Sequence, residues 1–368
     1  MCNQSQNGCS VRVISSNNLA LTPTIIALGK FDGVHRGHKR VIEPILPTSK
    51  AFQDNKSRFL QEQHREQHIY STVVTFNPHP QEYFTGKPRA LLTPLDEKVE
   101  ELHLCGVEQL VLLPFDQFLS TLSPKEFVEI ILIEQLQATC ISVGQDFRFG
   151  SGRQGTAQDL QAIASQYNIP VTIVPLEMSD EDHSEKMNIS TSLIRQLLET
   201  GEIQQANILL GRPYTLTGKV VLGQQIGRTI GFPTANLELP VKKFIPSKGV
   251  YAVRVVVCDR KDNDMATSNF GDDPKEVMRS VYTQNVEKNL ENFYPGVMNI
   301  GNRPTVNGNN LSVEVHLLNW SGDLYNKTLI VELIKFLRPE QKFSSLEALK
   351  TQIAKDCLSA KAFFGCEF

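Results

Sequence analysis

The chain has 368 residues, 37 of them basic and 40 acidic, and a formal net charge of -3. This length allows two domains, while the near balance of charge argues against general binding to nucleic acid or to an anionic membrane. No apolar run is long enough for a membrane span, the polar N-terminus lacks the apolar core of a secretion signal, and the scattered cysteines favour free thiols in a reducing cytoplasm.

The first half of the chain, to about residue 190, alternates short apolar runs with helical patterns. Strands are predicted at 25–28, 72–76, 109–113, 140–143 and 171–174, and helices at 94–105, 124–137 and 156–167. This alternation indicates a doubly wound parallel sheet with helices on both faces. Ligands of such sheets bind beyond the carboxyl ends of the strands.

The segment Gly29–His38 follows the first predicted strand and reads Gly-Lys-Phe-Asp-Gly-Val-His-Arg-Gly-His. A helix is expected to begin just after it, and the first N–H groups of a helix suit phosphate. Glycines let a ligand approach the backbone closely, and two imidazoles can stabilise the charge on a departing pyrophosphate. Two ordinary rings, exposed or internally bonded, are the less favoured alternative, because three glycines and Asp32 accompany them.

Two polar segments look like insertions. Residues 47–71 carry His64 and His68, whose spacing on a helix can bind metal, but no third ligand is apparent and a solvated helix extension is favoured. Residues 259–292 are rich in Asp, Asn, Lys and Ser, which indicates a surface loop; the sequence assigns it no role.

Two later loops follow predicted strands and can meet the Gly29–His38 motif. The loop at 75–80 holds Asn77 and His79 between prolines, and on its own it is interpreted as a plain turn. The loop at 144–150 alternates aromatic and charged residues. It fits one wall of an aromatic pocket or a glycine-rich loop anchored by two phenylalanines, and neither interpretation is favoured.

A third segment places hydroxyls at 190–192, at the start of a predicted helix over 191–198, and Arg195 one turn later. Such hydroxyls are ordinarily caps, but together with Arg195 they can form a phosphate grip. The segments of the first half together indicate nucleotidyl transfer, in which a substrate phosphate attacks the α-phosphate of a nucleoside triphosphate. No Walker A sequence is present, which argues against a P-loop ATPase.

From residue 214 the periodicity changes, after a second predicted helix at 202–210. Strands are predicted at 214–222, 250–257, 296–300, 312–318 and 329–337, and a final helix at 344–364. Gly and Pro punctuate these strands, which indicates a small antiparallel barrel with the helix packed on it. The domain boundary is expected near 201–213.

Glycines at 218, 223, 227 and 231 can free backbone N–H groups to surround phosphates. Thr234 and Asn236 alternate across Ala235, so an extended chain points both to one side, where a hydroxyl and an amide oxygen suit Mg²⁺. A β-bulge with a turn is the less favoured alternative. Glu314 and His316 share one face of a strand; composition leaves open whether Glu314 is merely exposed or a general base.

These residues resemble the bacterial family of bifunctional riboflavin kinase/FAD synthetases, over about residues 24–364. His-x-Gly-His alone is shared by many nucleotidyltransferases, whereas its combination with Pro-Thr-Ala-Asn at 233–236 is highly specific. The segments that carry the resemblance are Phe31–His38, Thr75–Pro80, Asp146–Gly150, Ile189–Arg195, Gly231–Asn236, Asn299–Thr305 and Gly322–Tyr325.

The resemblance implies a Rossmann-like FMN adenylyltransferase domain at 20–200 and a riboflavin kinase domain at 201–368, the latter a six-stranded antiparallel Greek-key barrel with a terminal helix. The kinase would phosphorylate the ribityl 5′-hydroxyl of riboflavin to give FMN, and the adenylyltransferase would convert FMN to FAD and pyrophosphate. The implied substrates are riboflavin, FMN and ATP, with Mg²⁺, in the cytoplasm. We expect a monomer or weak homo-oligomer.

The resemblance also implies roles for single residues, with His35, His38, Arg195 and Glu314 catalytic. The order Ser190-Thr191-Ser192 departs from the family's Ser-Ser-Thr, so the hydroxyl that contacts phosphate stays open. The implied adenylyltransferase ATP site comprises Gly29, Phe31, Asp32, Gly33, His35, His38, Ser190, Thr191 and Arg195. The implied flavin and nucleotide crevice comprises Asn77, His79, Asp146, Phe147 and Arg148. The implied kinase residues are Gly218, Lys219, Gly223, Gly227 and Thr234 for phosphate, Thr234 and Asn236 for Mg²⁺, and Glu314 as base.

Two other hypotheses compete with a two-site enzyme. In the first, the adenylyltransferase half has decayed, against which the intact His35, His38 and Arg195 argue. In the second, the chain binds flavin without turnover. The presence of Glu314 and of the candidate metal ligands argues against this hypothesis, because binding alone needs neither a base nor a metal.

Overall fold

The structure is a computed structural model that describes residues 11–15, 19–63, 67–179, 187–223, 225–258, 293–305 and 308–365. The chain divides into two compact units, Met1–Thr191 and Ser192–Phe368. His64 and the segment 259–292 lie outside the described residues.

A parallel sheet forms the centre of the described part of the first unit. Its strands are β1 (Arg12–Ile14), β2 (Thr24–Leu28), β3 (Tyr70–Asn77), β4 (Gln109–Pro114), β5 (Ala138–Gly144) and β8 (Val171–Val174), in the spatial order β1-β4-β3-β2-β5-β8. Between β5 and β8, the chain forms a two-stranded ribbon of β6 (Arg148–Phe149) and β7 (Gly155–Thr156).

The sheet is buried on both faces. On β2, Ile26 and Leu28 belong to one buried cluster, whereas Ile25 and Ala27 belong to another. Because neighbouring residues of a strand point to opposite faces, the two clusters lie on opposite sides of the sheet. The predicted doubly wound sheet is therefore confirmed.

Helices connect the parallel strands. They are α1 (Arg36–Ile42), α2 (Lys50–Gln63), α3 (Pro80–Thr85), α4 (Leu95–Leu104), α5 (Gln117–Thr121), α6 (Pro124–Glu126) and α7 (Ala157–Ser165), with a π-helical segment at Phe127–Gln135. Helix α2 occupies most of the polar segment at 47–71. The helix predicted at 124–137 consists of α6 and the π-helical segment.

The second unit begins with α8 (Thr191–Thr200), whose first residue belongs to the first unit, and α9 (Ile203–Leu210). Its described strands close an antiparallel barrel in the order β10-β13-β12-β11-β14-β9, as predicted. They are β9 (Tyr214–Val221), β10 (Ala235–Glu238), β11 (Gly249–Cys258), β12 (Tyr294–Thr305), β13 (Gly308–Leu317) and β14 (Thr328–Pro339), with a short α10 (Ile226–Thr229) between β9 and β10.

The terminal helix α11 (Leu346–Phe364) packs on the barrel. Its Cys357 and Ala360 share a buried cluster with barrel residues, and Phe232 packs against that cluster. Arg338 on β14 binds the carboxylate of Asp356 on α11 through Nη2 at 2.7 Å. This ion pair is almost fully buried, so it fixes the helix against the strand.

Cys105, Cys140, Cys258 and Cys357 are free thiols. Burial raises the pKa of Cys140 and that of Cys357 to about 11, so both thiols stay protonated at neutral pH. Within the described part of the chain, no helix combines the length and the apolarity needed to cross a membrane.

Candidate functional sites

The loop between β2 and α1 has a strained backbone. Phe31 and Val34 adopt φ values of 48° and 40°, a left-handed region that suits neither a bulky nor a β-branched residue. Both side chains are fully buried, and their packing holds this conformation. Strain of this kind concentrates at functional loops, which favours a functional role for the Gly29–His38 motif.

Asp32 ties this loop to the chain that enters α4. Its Oδ1 accepts the backbone N–H of Leu92 at 2.7 Å and that of Thr93 at 3.3 Å. In return, the Thr93 hydroxyl oxygen accepts the N–H of Gly33 at 2.9 Å. Asp32 is 3% exposed, so its observed role is to fix the start of α4 beside the motif. Its predicted contact with ATP stays a prediction.

The two motif histidines form a stacked pair. His35 caps α1 because its Nδ1 accepts the backbone N–H of His38 at 3.3 Å, and the two ring centroids lie 3.6 Å apart. Burial lowers the pKa of His38 well below its ordinary value, and the charges of His35 and Lys98 lower it further. His38 Nδ1 is buried and has no hydrogen-bond partner among the described residues. The site therefore holds a neutral imidazole with a polar atom available to a ligand.

Lys98 is a second element of this site, and it was not found from the sequence. It is 8% exposed, and its Nζ donates to the carbonyl oxygen of Lys30 at 3.4 Å. Burial lowers the pKa of Lys98, and Asp32 opposes that shift. One signal was available: Lys98 and Leu102, four residues apart, are the buried positions of α4, so an ammonium lies on a helix face that should be apolar.

Further cations lie near Lys30. Its pKa is lowered first by burial, then by the charges of Arg153 and Arg89, whereas Asp146 raises it. Like charges held together in a folded chain favour an anion among them. We call Lys30, Arg89, Lys98 and Arg153 the cation cluster.

The predicted flavin crevice is brought to the same edge of the sheet. His79 caps α3 through Nδ1, which accepts the N–H of Gln81 at 3.1 Å. Burial first, then Arg89 and Lys30, lower the pKa of His79 to about 4. Asn77 is exposed at the end of β3.

The loop after β5 combines the two interpretations of its sequence. Phe149 is 4% exposed and packs in the core, and the ring of Phe147 stacks on it at 5.7 Å. Asp146 and Arg148 are exposed. The phenylalanines therefore anchor the loop, while its charged residues remain accessible.

The segment before α8 reaches the motif through one contact. The Thr191 hydroxyl donates to the carbonyl oxygen of Asp32 at 3.0 Å, with Ser190 directly before it. Arg195 belongs to the second unit, where its guanidinium carbon lies 4.8 Å from the ring centroid of Phe244. The phosphate contact assigned to Arg195 stays a prediction.

The second site lies where β10 and β13 pair. Asn236 is directly opposite Glu314 in the antiparallel register. The Thr234 hydroxyl donates to Glu314 Oε2 at 3.3 Å, and the Ser312 hydroxyl donates to Oε1 at 3.1 Å. Three residues predicted from two separate motifs thus converge, and Ser312 joins them as a residue that sequence reasoning did not single out.

At two glycines of the barrel, neighbouring atoms leave no room for a side chain. A Cβ on Gly223 would lie 2.2 Å from Asn236 Nδ2. A Cβ on Gly227 would lie 2.2 Å from the carbonyl oxygen of Phe232 and 3.3 Å from the Thr234 hydroxyl. The glycine-rich segment therefore packs closely around Thr234 and Asn236. A hydroxyl and an amide oxygen in such a cradle fit a hard cation such as Mg²⁺.

Gly218 and Lys219 lie within β9, so their backbone takes part in the barrel. Gly218 is opposite Leu329 of β14, and a Cβ there would lie 2.7 Å from the carbonyl oxygen of Glu238. The side chain of Lys219 is exposed. Phosphate binding by these two residues stays a prediction.

In comparison with known proteins, the two halves of the chain match different families. Residues 18–190 match the FAD synthetase family, and residues 210–364 match the riboflavin kinase family. The bifunctional riboflavin kinase/FMN adenylyltransferase of Escherichia coli (strain K12) is 37% identical over 354 residues, which cover 95% of this chain and 96% of the relative. The protein of that description from Bacillus subtilis (strain 168) is 33% identical over 350 residues, covering 93% and 92%.

A solved structure is similar along almost the whole chain. It is described as a macrolide-efflux protein from Streptococcus pneumoniae, and it superposes with a TM-score of 0.70 at 27% identity. The match covers 95% of this chain and 98% of that chain.

Proposed function

The chain belongs to the family of bifunctional riboflavin kinase/FMN adenylyltransferases, and from this premise we propose how its residues divide the two activities. It converts riboflavin to FMN and FMN to FAD, with ATP as the second substrate of each reaction. We assign adenylylation to residues 20–200 and riboflavin phosphorylation to residues 201–368. The observation that carries this division is the convergence of Thr234, Asn236 and Glu314 on two paired strands, apart from the histidine motif in sequence.

In the adenylyltransferase, the nucleophile is the phosphate of FMN, which is already an anion near neutral pH. The protein therefore has to position two anions and stabilise the charge of the departing pyrophosphate. We assign this work to the His35–His38 pair, to Ser190, Thr191 and Arg195, and to the cation cluster. The available His38 Nδ1 and the buried ammonium of Lys98 support this assignment. Asn77, His79, Asp146, Phe147 and Arg148 line the crevice for FMN and ATP.

In the kinase, the nucleophile is the ribityl 5′-hydroxyl, which must lose a proton as it attacks. Glu314 accepts that proton as general base. The hydroxyl donors Thr234 and Ser312 fix the orientation of its carboxylate. Since Thr234 donates its only hydroxyl hydrogen to Glu314, its oxygen lone pairs remain for a cation.

We propose Mg²⁺ as that cation, held by Thr234 and Asn236. When bound, it neutralises charge on the transferring phosphoryl group. Backbone and side chains of the segment that includes Gly218, Lys219, Gly223 and Gly227 complete the ATP phosphate site. The fit of hydroxyl and amide oxygens in a glycine-lined cradle supports this assignment.

A cytoplasmic location is part of the proposal, supported by the four described free thiols. Because each reaction is assigned to one half of one chain, a monomer or a weak homo-oligomer is sufficient for both. Sedimentation of the purified chain measures that state, and fractionation of cells measures the location.

One incubation distinguishes the two-site enzyme from its rivals. Purified protein is incubated with riboflavin, ATP and Mg²⁺, and the flavins are resolved by chromatography. The proposal expects FMN first and then FAD. FMN without FAD would indicate a decayed adenylyltransferase, and unchanged riboflavin would indicate a binding module. Omission of Mg²⁺, with chelator present, should stop FMN formation, and addition of Mg²⁺ should restore it.

A further inference from the structure

His316 shares the strand face of Glu314 but has no role in the chemistry described above. It lies two residues after Glu314 on β13, so both side chains leave the same side of the strand. Its Nδ1 lies 2.8 Å from the carbonyl oxygen of Pro233. Its ring meets the ring of Phe232 edge-on, with centroids 5.6 Å apart.

The segment Phe232–Thr234 is therefore held at three successive residues. Phe232 packs against the buried cluster under α11, Pro233 is bound by His316, and the Thr234 hydroxyl is bound by Glu314. Two of these three contacts come from the same strand face. β13 thus binds the segment on both sides of the Pro233–Thr234 peptide bond.

The Pro233 carbonyl is an unusually effective place to hold this segment. Proline has no N–H, so its carbonyl oxygen is the only backbone hydrogen-bonding group that residue 233 offers. The peptide bond is planar, so fixing that oxygen also fixes the N–H and the Cα direction of Thr234. The Thr234 side chain starts from that Cα, and the contact with Glu314 then sets the direction of its hydroxyl.

The chemistry of the bond sets the state of the ring. A carbonyl oxygen only accepts, so Nδ1 carries the hydrogen and donates. The neutral Nδ1–H tautomer and the protonated ring both provide this donor. The contact therefore persists when His316 gains or loses its second proton.

We propose that His316 is a positioning residue of the riboflavin kinase, which holds the Pro233–Thr234 peptide so that Thr234 can serve Glu314 and the cation. This inference rests on the proposed function of the barrel site. It separates His316 from a direct acid or base, which would have to exchange a proton with substrate.

The test compares two substitutions in the full-length chain. His316→Phe keeps a ring against Phe232 but removes the donor, whereas His316→Asn provides an N–H at the position of Nδ1. Riboflavin phosphorylation is measured as a function of Mg²⁺ concentration and of pH. Conversion of supplied FMN to FAD, measured in the same preparation, reports that the protein is folded and active.

We expect His316→Phe to lower the kinase rate at subsaturating Mg²⁺ about 10-fold in all, with a lower kcat and a higher Mg²⁺ concentration at half-maximal rate both contributing, since one hydrogen bond contributes up to about 1.5 kcal/mol. His316→Asn should recover to within about 3-fold of the wild type, with the wild-type pH profile. FMN conversion should be unchanged in both variants.

Three results would overturn the inference: a His316→Phe kinase equal to the wild type, an Asn variant as impaired as the Phe variant, or loss of one limb of the pH profile in the Asn variant. The last result would identify His316 as an acid or base. A wild-type chain that forms no FMN from riboflavin would instead refute the proposed function. The two failures are therefore distinguishable.

Discussion

The histidine site and the barrel site, to which we assign the two ATP-dependent reactions, are built from different side chains. In the first unit, a stacked pair of imidazoles, of which His38 is neutral, and the buried Lys98 lie beyond the ends of parallel strands. In the second, hydroxyls, an amide and one carboxylate lie on paired antiparallel strands. The histidine site has cationic side chains of its own. The barrel site instead has the carboxylate of Glu314 and the proposed Mg²⁺ ligands Thr234 and Asn236.

The nucleophiles account for this difference. The FMN phosphate is ionised near neutral pH, so it needs no base to attack, and the main task of the site is to hold two anionic substrates. The ribityl hydroxyl is neutral, so it needs a base, and that base brings a negative charge next to ATP. The proposed Mg²⁺ would offset this charge. Removal of the base Glu314 should therefore lower the kinase activity alone. Removal of the cationic Lys98, or displacement of the proposed Mg²⁺ ligand Asn236, should show which of the two reactions each residue serves.

The largest expected effect comes from Glu314→Gln, which keeps the side-chain size but removes the base. We expect riboflavin phosphorylation to fall about 10²- to 10⁴-fold. Supplied FMN should still become FAD at the wild-type rate, as measured by chromatography of the flavins. An equal loss of both activities would mean that the two sites are not independent.

His38→Ala is the counterpart in the first unit. It removes an imidazole that would hold phosphate oxygens, and we expect FMN adenylylation to fall about 10²- to 10³-fold. Riboflavin phosphorylation should remain, so FMN should accumulate when riboflavin and ATP are supplied. If FAD formation continues at the wild-type rate, the histidine motif is not the site of adenylylation.

Most of the fold was predicted from the sequence. The period of the apolar runs predicted the parallel sheet and the barrel because long buried strands repeat a simple pattern. β1 and β10 were not predicted as strands. They have three and four residues, too few for a period to be visible, and β10 lies within the Pro-Thr-Ala-Asn motif.

The sites were predicted less completely than the fold. His35 and His38 were singled out by their residue type and spacing, whereas composition left Glu314 open and the family resemblance indicated it as the base; these roles stay predictions. Lys98 was missed, since the tie between Asp32 and the start of α4 that brings it to the site is tertiary. Gly223 was predicted to free an N–H for phosphate, which stays a prediction; the structure adds that its missing side chain makes room for Asn236. Such neighbours are not visible in a linear pattern.

Lys98→Met tests whether the buried ammonium belongs to the adenylyltransferase. A lost charge-assisted contact to phosphate is worth about 1.5–3 kcal/mol, so we expect FMN adenylylation to fall about 10- to 100-fold. The kinase rate should not change. Lys125→Met is the matched control, because the Lys125 side chain is 65% exposed and pairs only with Glu129 on the surface. If both variants retain full adenylylation, Lys98 has no part in phosphate binding.

Gly223→Ala tests the cradle of the barrel site. The new Cβ would lie 2.2 Å from Asn236 Nδ2, so the amide has to move away from its present position. We expect kinase activity to fall about 10-fold, because the amide is displaced. Asn236→Ala, which removes the amide, is measured beside it as a function of Mg²⁺ concentration. The comparison separates an effect of geometry from an effect on Mg²⁺ affinity. Adenylylation of supplied FMN is the internal control. An unchanged kinase would show that the position of Asn236 is not critical.

Acidification should produce the smallest effect. It should distinguish the two units by their thermal stability rather than by their activities. The folded pKa of His79 is about 4, below its ordinary value of 6.5, so the unfolded chain binds the proton first. The stabilisation is therefore complete above about pH 6.5 and is lost progressively as the pH falls towards 4. The structural cause is the α3 cap, since a protonated Nδ1 can no longer accept the N–H of Gln81. Burial also lowers the pKa of His38 in the same unit, so protonation of His38 adds to this loss.

The barrel is expected to respond less, because the histidines that cap α3 and α1 belong to the first unit. Trp320, the only tryptophan of the chain, reports on the second unit by fluorescence, while circular dichroism reports on both. From pH 7 to pH 5 we expect the first unit to melt about 2–4 °C lower, and the Trp320 transition to move less. His79→Asn is the matched variant, since asparagine caps helices without titrating. It should reduce the acid shift of the first unit, and an undiminished shift would assign the acid sensitivity to the His35–His38 pair instead.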